Sequence, residues 1–296
     1  MLRWIIITAV ALIVGLFAIS KLVAPPNQLN MLNTIMLGDT GTQRVASGVI
    51  FDPATGIKLD VWAPSQKSAA KLPVVVFFYG GGWHSGERKH YAFAAKAYAA
   101  KGFVVVIPDY RKVPQVRFPA FNEDGAHAVR WVQDNIEKFG GDSRRVTLAG
   151  HSAGAYIAMI LTVDPRYLRD AGVVPGFVRA TVGLAGPYDF LPFDSMNSIN
   201  AFGKWPKPIQ TQPIAFVKAD VPPIMVLTGT HDDTVKPRQS ILMARKLREL
   251  GAQAVFKAYP GLNHEDMIMA LSKTFRGKGA VLADSSMFLL ENSRTN

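Results

Sequence analysis

Apolar stretches of strand length alternate with helical patterns along most of this 296-residue chain. That alternation predicts an α/β fold, a mostly parallel central sheet flanked by helices on both faces. Two further observations agree. The run 72–79 (LPVVVFFY) is apolar without interruption, as expected of a strand covered on both faces. Hydrophobic residues make up 49% of the chain, enough for one large core, and no repeat or low-complexity segment divides it.

Residues 45–51 and 57–63 read as a leading antiparallel pair joined by the turn Asp52-Pro53-Ala54-Thr55-Gly56. The strand at 72–79 follows, then an alanine-rich helix over 88–101, suited to close packing on a sheet. A strand at 103–107 and an amphipathic helix at 122–139 come next. After them stand a strand at 145–149 (RVTLA), a helix at 153–161 (AGAYIAMIL) and a strand at 180–184. The chain closes with a strand at 223–228, a helix at 239–250, a strand at 254–259 and helices at 264–272 and 279–291. Between 187 and 222 the alternation lapses. Met196, Phe202, Trp205, Ile209, Ile214 and Phe216 sit there among several prolines. A free loop would not carry so many large apolar side chains, so a small cap over the active edge of the sheet is expected.

Gly150-His151-Ser152-Ala153-Gly154 lies between the strand at 145–149 and the helix at 153–161. A strand, a sharp G-x-S-x-G turn and a helix form a nucleophile elbow, which presents a serine hydroxyl at the top of a parallel sheet. Such a serine needs a base, an orienting acid and oxyanion donors, in the chain order Ser, Asp or Glu, His. The strand at 223–228 ends in Gly229-Thr230-His231-Asp232-Asp233-Thr234-Val235, so Asp232 or Asp233 faces the same edge as the elbow. The strand at 254–259 ends in Pro260-Gly261-Leu262-Asn263-His264, where the general base belongs. Upstream, the strand at 72–79 runs into Gly80-Gly81-Gly82-Trp83. Backbone N–H groups there, with that of Ala153, are placed to hold a developing oxyanion.

Together these segments resemble the α/β-hydrolase superfamily, in its esterase and lipase group with the hormone-sensitive-lipase-like and feruloyl-esterase-like carboxylesterases. The resemblance is carried by Tyr79-Gly-Gly-Gly-Trp83, Pro108-Asp-Tyr-Arg111, Phe118-Pro119 with Asp124, Gly140-Gly-Asp142, the elbow, Gly186-Pro-Tyr-Asp189, Gly229 to Val235 and His264. It spans roughly Gln43 to Glu291 and is specific for the superfamily rather than for a substrate. It implies an α/β-hydrolase fold and a serine carboxylic-ester hydrolase working through an acyl-enzyme, with Ser152, Asp232 and His264 catalytic and no cofactor. The oxyanion hole would be Gly81, Gly82 and Ala153. The family's spacing selects Asp232 over Asp233, and Trp83, His84 and Tyr188 become candidate pocket residues. Asp124, Asp142 and Asp189 recur in the pattern and read as structural. One departure stands out, since the family's usual His before the three glycines is Tyr79 here. An amide-type hydrolase (arylformamidase or exopeptidase-like) is the alternative that the same machinery supports. From another class, the alternative is a non-catalytic, membrane-tethered binding domain.

Of the six histidines, His127 falls mid-helix and reads as structural. His151 adjoins the serine, but neighbouring side chains in a tight elbow are expected to point apart. There is no cysteine, which excludes a thiol nucleophile, disulfides and thiolate zinc sites, and no H-x-x-x-H pair marks a metal site. The formal net charge is +11, yet the basic residues are scattered singly and no nucleic-acid module is readable. An anionic membrane surface is the better match. Residues 4–20 carry no charge, lie between Arg3 and Lys21, and precede Pro25-Pro26. The run is slightly shorter than the ~20 residues of a spanning helix and longer than a signal peptide's apolar core of about 7–15. The expected organisation is an N-terminal hydrophobic helix at 1–24 serving as membrane anchor, a tether at 25–42 and a catalytic domain at 43–296. That domain would lie outside the cytoplasm; the alternative is a secreted or periplasmic protein after signal cleavage.

Overall fold

A computed structural model describes residues 25–294 except 37 and 67, so the anchor expected at 1–24 lies outside the described residues. The chain enters on helix α1 (Pro25–Ile35) and then forms strands β1 (Thr42–Asp52), β2 (Ile57–Pro64) and β3 (Leu72–Phe78). Helix α2 (Ala92–Ala99), strand β4 (Val104–Pro108) and helix α3 (Ala120–Asn135) follow. Next come β5 (Gly141–His151), α4 (Ala153–Val163), α5 (Pro165–Asp170) and β6 (Val178–Leu184). The remainder is α6 (Met196–Phe202), β7 (Ile224–Gly229), α7 (Arg238–Glu249), β8 (Ala254–Tyr259), α8 (His264–Met269) and α9 (Val281–Asn292).

The strands form one eight-stranded sheet in the order β1-β2-β4-β3-β5-β6-β7-β8. β1 with β2 and β2 with β4 are antiparallel, and every later pairing is parallel. The mostly parallel sheet flanked by helices is therefore the observed architecture. Both faces are covered, which is why β3, β4 and β7 are buried along almost their whole length. Adjacent residues of a strand point to opposite faces. Phe77 meets Tyr98 of α2, with ring centroids 5.9 Å apart, while Phe78 lies against Gly125 of α3, where Ile157 of α4 also packs. Helix α9 joins α2 on its face through a 3.0 Å hydrogen bond from Tyr98 to Ser285.

One segment differs from the sequence expectation. Residues 25–42, expected as a tether, contain α1, which is laid against the catalytic domain. Leu29 is buried, Asn33 Oδ1 accepts from the Lys273 N–H at 3.2 Å, and Asp39 pairs with Arg276 at 3.0 Å. Pro25 and Pro26 open this helix instead of breaking the chain, because the first turn has no need of their missing N–H groups. The segment 187–222 holds α6 and two short 3₁₀ turns. Phe202 of α6 is buried in an aromatic cluster with Trp83, Tyr156 and Phe190. Among the described residues no helix is long and apolar enough to cross a membrane.

Candidate active site

Ser152 stands between the last residue of β5 and the first of α4, with φ 55° and ψ −123°. A non-glycine residue held at positive φ is strained, and here a close packing holds it. A Cβ on Gly154 would lie 2.1 Å from the Phe78 carbonyl oxygen, so only glycine lets α4 begin so near β3. The turn lifts the Ser152 hydroxyl to the carboxyl edge of the sheet. The loops after β7 and β8 end at the same edge, because parallel strands all point their carboxyl ends one way.

His264 Nε2 lies 2.9 Å from Ser152 Oγ, and His264 Nδ1 lies 2.8 Å from Asp232 Oδ2. The other oxygen, Asp232 Oδ1, accepts the Thr234 and Val235 backbone N–H groups at 3.0 and 2.8 Å. Asp232 and His264 are both buried. A carboxylate can only accept, so Nδ1 carries the proton and Nε2 is left to accept from the serine hydroxyl. Asp233 points away: its side chain is 91% exposed and pairs with Lys236.

Gly81 and Gly82 line a cavity of about 600 Å³ together with Ser152 and His264. Gly82 and Ala153 line a second cavity of about 370 Å³ that also reaches Ser152. Gly81 has φ 135°, and a Cβ there would meet the Ser85 carbonyl oxygen at 2.3 Å, so the turn requires glycine. Tyr79 does not contact the glycine loop through its hydroxyl. It donates to Asp109 at 3.0 Å, accepts from Lys112 at 3.1 Å, and its ring stacks between Tyr91 and Tyr110. The main chain of the loop is held instead by Tyr110, which donates to the Tyr79 carbonyl at 3.0 Å, and by Tyr91, which donates to that of Gly80 at 3.4 Å. Burial raises Tyr91 to about 12 and Tyr79 and Tyr110 well above their ordinary value, so all three stay protonated donors.

The three candidate pocket residues separate. His84 is exposed on the wall of the larger cavity. Trp83 is 5% exposed, borders the smaller cavity and is mainly a packing residue, 4.8 Å from Phe202 and 5.5 Å from Tyr156 between ring centroids. Tyr188 corrects the sequence reading: it is fully buried and lines neither cavity. Its hydroxyl packs against β6, 1.9 Å from where a Cβ on Gly183 would stand. Asp124 holds Arg111 through its backbone N–H and its guanidinium, and Asp142 caps Arg144.

His151 also differs from expectation. Its ring does not point away but lies 4.8 Å from that of His264 between centroids, with Nε2 3.1 Å from the His264 carbonyl oxygen. Burial, and then the neighbouring His264, push its pKa well below the ordinary 6.5, so it is neutral. Sequence reasoning also missed Leu29 and Leu32 of α1, Asn197 of α6, and Thr234, all of which reach the larger cavity. No local pattern links those positions to a serine between 45 and 123 residues away. Among the described residues no group of three or more His, Asp or Glu is placed to hold a metal ion.

A family model described as BD-FAE matches residues 59–247, from β2 to near the end of α7. The chain belongs to the BD-FAE family. That places it in the esterase and lipase group of the α/β-hydrolases. Its similarity extends to the esterase LipC of Mycobacterium tuberculosis, 31% identical over 72% of this chain and 57% of the relative. The isoprenylcysteine α-carbonyl methylesterase ICME of Arabidopsis thaliana is 26% identical over 77% of this chain and 58% of the relative. The chain thus spans little more than half the length of these two relatives. Among solved structures, a truncated carbohydrate esterase from gut microbiota superimposes with a TM-score of 0.72 at 22% identity, covering 85% of this chain and 96% of that one. A hyperthermophilic esterase from Pyrobaculum calidifontis gives 0.69 at 23% identity, covering 90% of this chain and 92% of that one. At these identities the superpositions speak for the fold alone.

Proposed function

We propose that this member of the BD-FAE family is a serine carboxylic-ester hydrolase that works through an acyl-enzyme. The observation that carries the reading is the unbroken hydrogen-bond chain Ser152–His264–Asp232, at 2.9 and 2.8 Å, beside the glycine loop. Ser152 Oγ attacks the ester carbonyl carbon while His264 Nε2 takes its proton. Asp232 fixes the Nδ1–H tautomer and stabilises the imidazolium that forms. The carbonyl oxygen gains charge and is held by the N–H groups of Gly81, Gly82 and Ala153. Collapse breaks the bond to the alcohol, which leaves with the proton from Nε2, and the acyl group stays on Ser152. Water, deprotonated by the same Nε2, then attacks the acyl carbon, and breakage of the bond to Ser152 Oγ releases the acid.

The test is hydrolysis of p-nitrophenyl acetate by the wild-type chain and by Ser152→Ala. The expected result is turnover in the first and a loss of about 10⁴-fold or more in kcat in the second, with an unchanged far-UV spectrum. Residual activity within about tenfold of wild type would remove Ser152 from the nucleophile role. Acetylated sugar esters, feruloyl esters and formylkynurenine belong in the same panel, and turnover of the last alone would replace the ester reading with the amide one. We further propose that residues 1–24 anchor the protein at a membrane with the hydrolase domain outside the cytoplasm. The support is the charge-free run 4–20 between Arg3 and Lys21, together with the net charge of +11.

A further inference from the structure

Two cavities meet at Ser152, and they differ in chemistry. The larger, about 600 Å³, contains His264 and is walled by Leu29, Leu32, Phe93, Ile268, Met269 and Phe275. The smaller, about 370 Å³, contains Ala153 but not His264, and its polar wall includes Asp194, Ser195, Ser198 and Lys236. We infer that the substrate is an ester of a hydrophobic, extended alcohol with a short acyl group, the alcohol lying in the larger cavity against α1. The inference rests on the ester-hydrolase reading above and adds which half of the ester is large.

The reaction's own geometry makes the assignment. When the tetrahedral adduct collapses, the bond from carbon to the alcohol oxygen breaks and the proton on His264 Nε2 passes to that oxygen. The leaving oxygen must therefore sit within hydrogen-bond reach of Nε2, on the side of the cavity that contains His264. Ser152 Oγ takes a second direction at the carbon and the oxyanion, held by Gly81, Gly82 and Ala153, a third, so the acyl substituent takes the fourth, away from His264. The alcohol thus enters the apolar cavity and the acyl group the smaller polar one. The apolar wall is fixed in place rather than incidental. α1 supplies Leu29 and Leu32, and the clasp between Asn33 and the Lys273 N–H ties it to the segment that supplies Phe275. The Asp39–Arg276 ion pair adds a second tie, and Arg276 also donates to the Leu271 carbonyl at 2.8 Å. A concave wall held in this way covers more of a hydrocarbon chain than a flat rim would.

Hexyl acetate and methyl heptanoate contain the same atoms and differ only in which side of the ester carries the chain, so comparing their kcat/KM on the full-length protein isolates the assignment. The expected ratio favours hexyl acetate by at least about tenfold, and from ethyl to butyl to hexyl acetate kcat/KM rises by up to about fourfold per methylene. Leu29→Trp in α1 and Met269→Trp in α8 each enlarge a side chain that lines the cavity and should reduce the hexyl acetate to methyl heptanoate ratio at least tenfold. A wild-type ratio near one or favouring methyl heptanoate overturns the assignment, as does a ratio that neither variant changes. Hydrolysis of neither isomer and of no p-nitrophenyl acetate would instead overturn the ester reading beneath it.

Discussion

Asp232 and Asp233 adjoin in sequence and stand in opposite surroundings, one buried between His264 and two backbone N–H groups, the other paired with Lys236 in water. Asp232→Asn therefore removes the acceptor that fixes the imidazole tautomer, and kcat on a good ester should fall by about 10⁴-fold. Asp233→Asn loses only an exposed pair and should stay within about twofold. The reverse ranking would move the acid role by one residue. The family spacing, three residues after Gly229 and three before Val235, already pointed to Asp232. The role of His151 was not legible, because the direction of a side chain at an elbow depends on the backbone twist of Ser152 and not on adjacency. Its neutrality has a consequence for stability. A histidine whose pKa is depressed in the folded state takes up a proton more readily unfolded, so its stabilising contribution is complete above about 6.5 and is lost as pH falls below that value. Between 6.5 and its folded pKa, unfolding free energy should drop by up to about 1.4 kcal/mol per pH unit on this account. His151→Gln should flatten that slope, as read from urea unfolding at a series of pH values; an equal slope would mean that other groups cause it.

Among the elements, the elbow shows how glycine placement couples a helix to a strand. Gly154→Ala drives a methyl group into the Phe78 carbonyl, 2.1 Å from where it would stand. It should destabilise the fold by about 1–3 kcal/mol or more, visible as a lower urea midpoint with an unchanged m-value. The strands and the elbow were readable because each is continuously apolar and ends in a distinctive turn. α1 was not readable. It is 11 residues long with asparagines at 30 and 33, too short and too polar to announce a helix, and it exists because the domain supplies a partner for Leu29 and Asn33. α6 was obscured in the same way, its single buried aromatic, Phe202, waiting on Trp83 and Tyr156 from distant parts of the chain. A chain shortened to begin at Pro25 should keep full stability. One beginning at Met36 loses the burial of Leu29 and should be weaker by at least about 2 kcal/mol. Removing residues only as far as Asn30 cuts through the helix, so such a chain should behave like the shorter one. Equal thermal midpoints for the chains starting at Pro25 and at Met36 would show that α1 adds nothing to the fold.

For the molecule as a whole, the charge pattern and the position of α1 bear on where the enzyme works. The uncharged run 4–20 lies between Arg3 and Lys21, and the first described helix begins four residues beyond Lys21. Met31, Ile35 and Met36 are exposed on and just after that helix, while Leu29 on its other side faces the larger cavity. An anchor at 1–24 would thus hold the wall of that cavity close to the bilayer surface, and the net positive charge of the chain favours an anionic lipid face. If the proposed anchor holds it, full-length protein should sediment with membranes, remain there in high salt and be released by detergent, as expected for an apolar segment rather than surface charge. A chain starting at Pro25 should stay in the supernatant and hydrolyse p-nitrophenyl acetate with the same kcat. Protease added to intact cells or spheroplasts should cut the full-length enzyme, since Arg3 favours an inward amino terminus and leaves the hydrolase domain outside. Full-length protein found in the cytosolic supernatant, intact at Met1 and protected from external protease, would exclude the anchor.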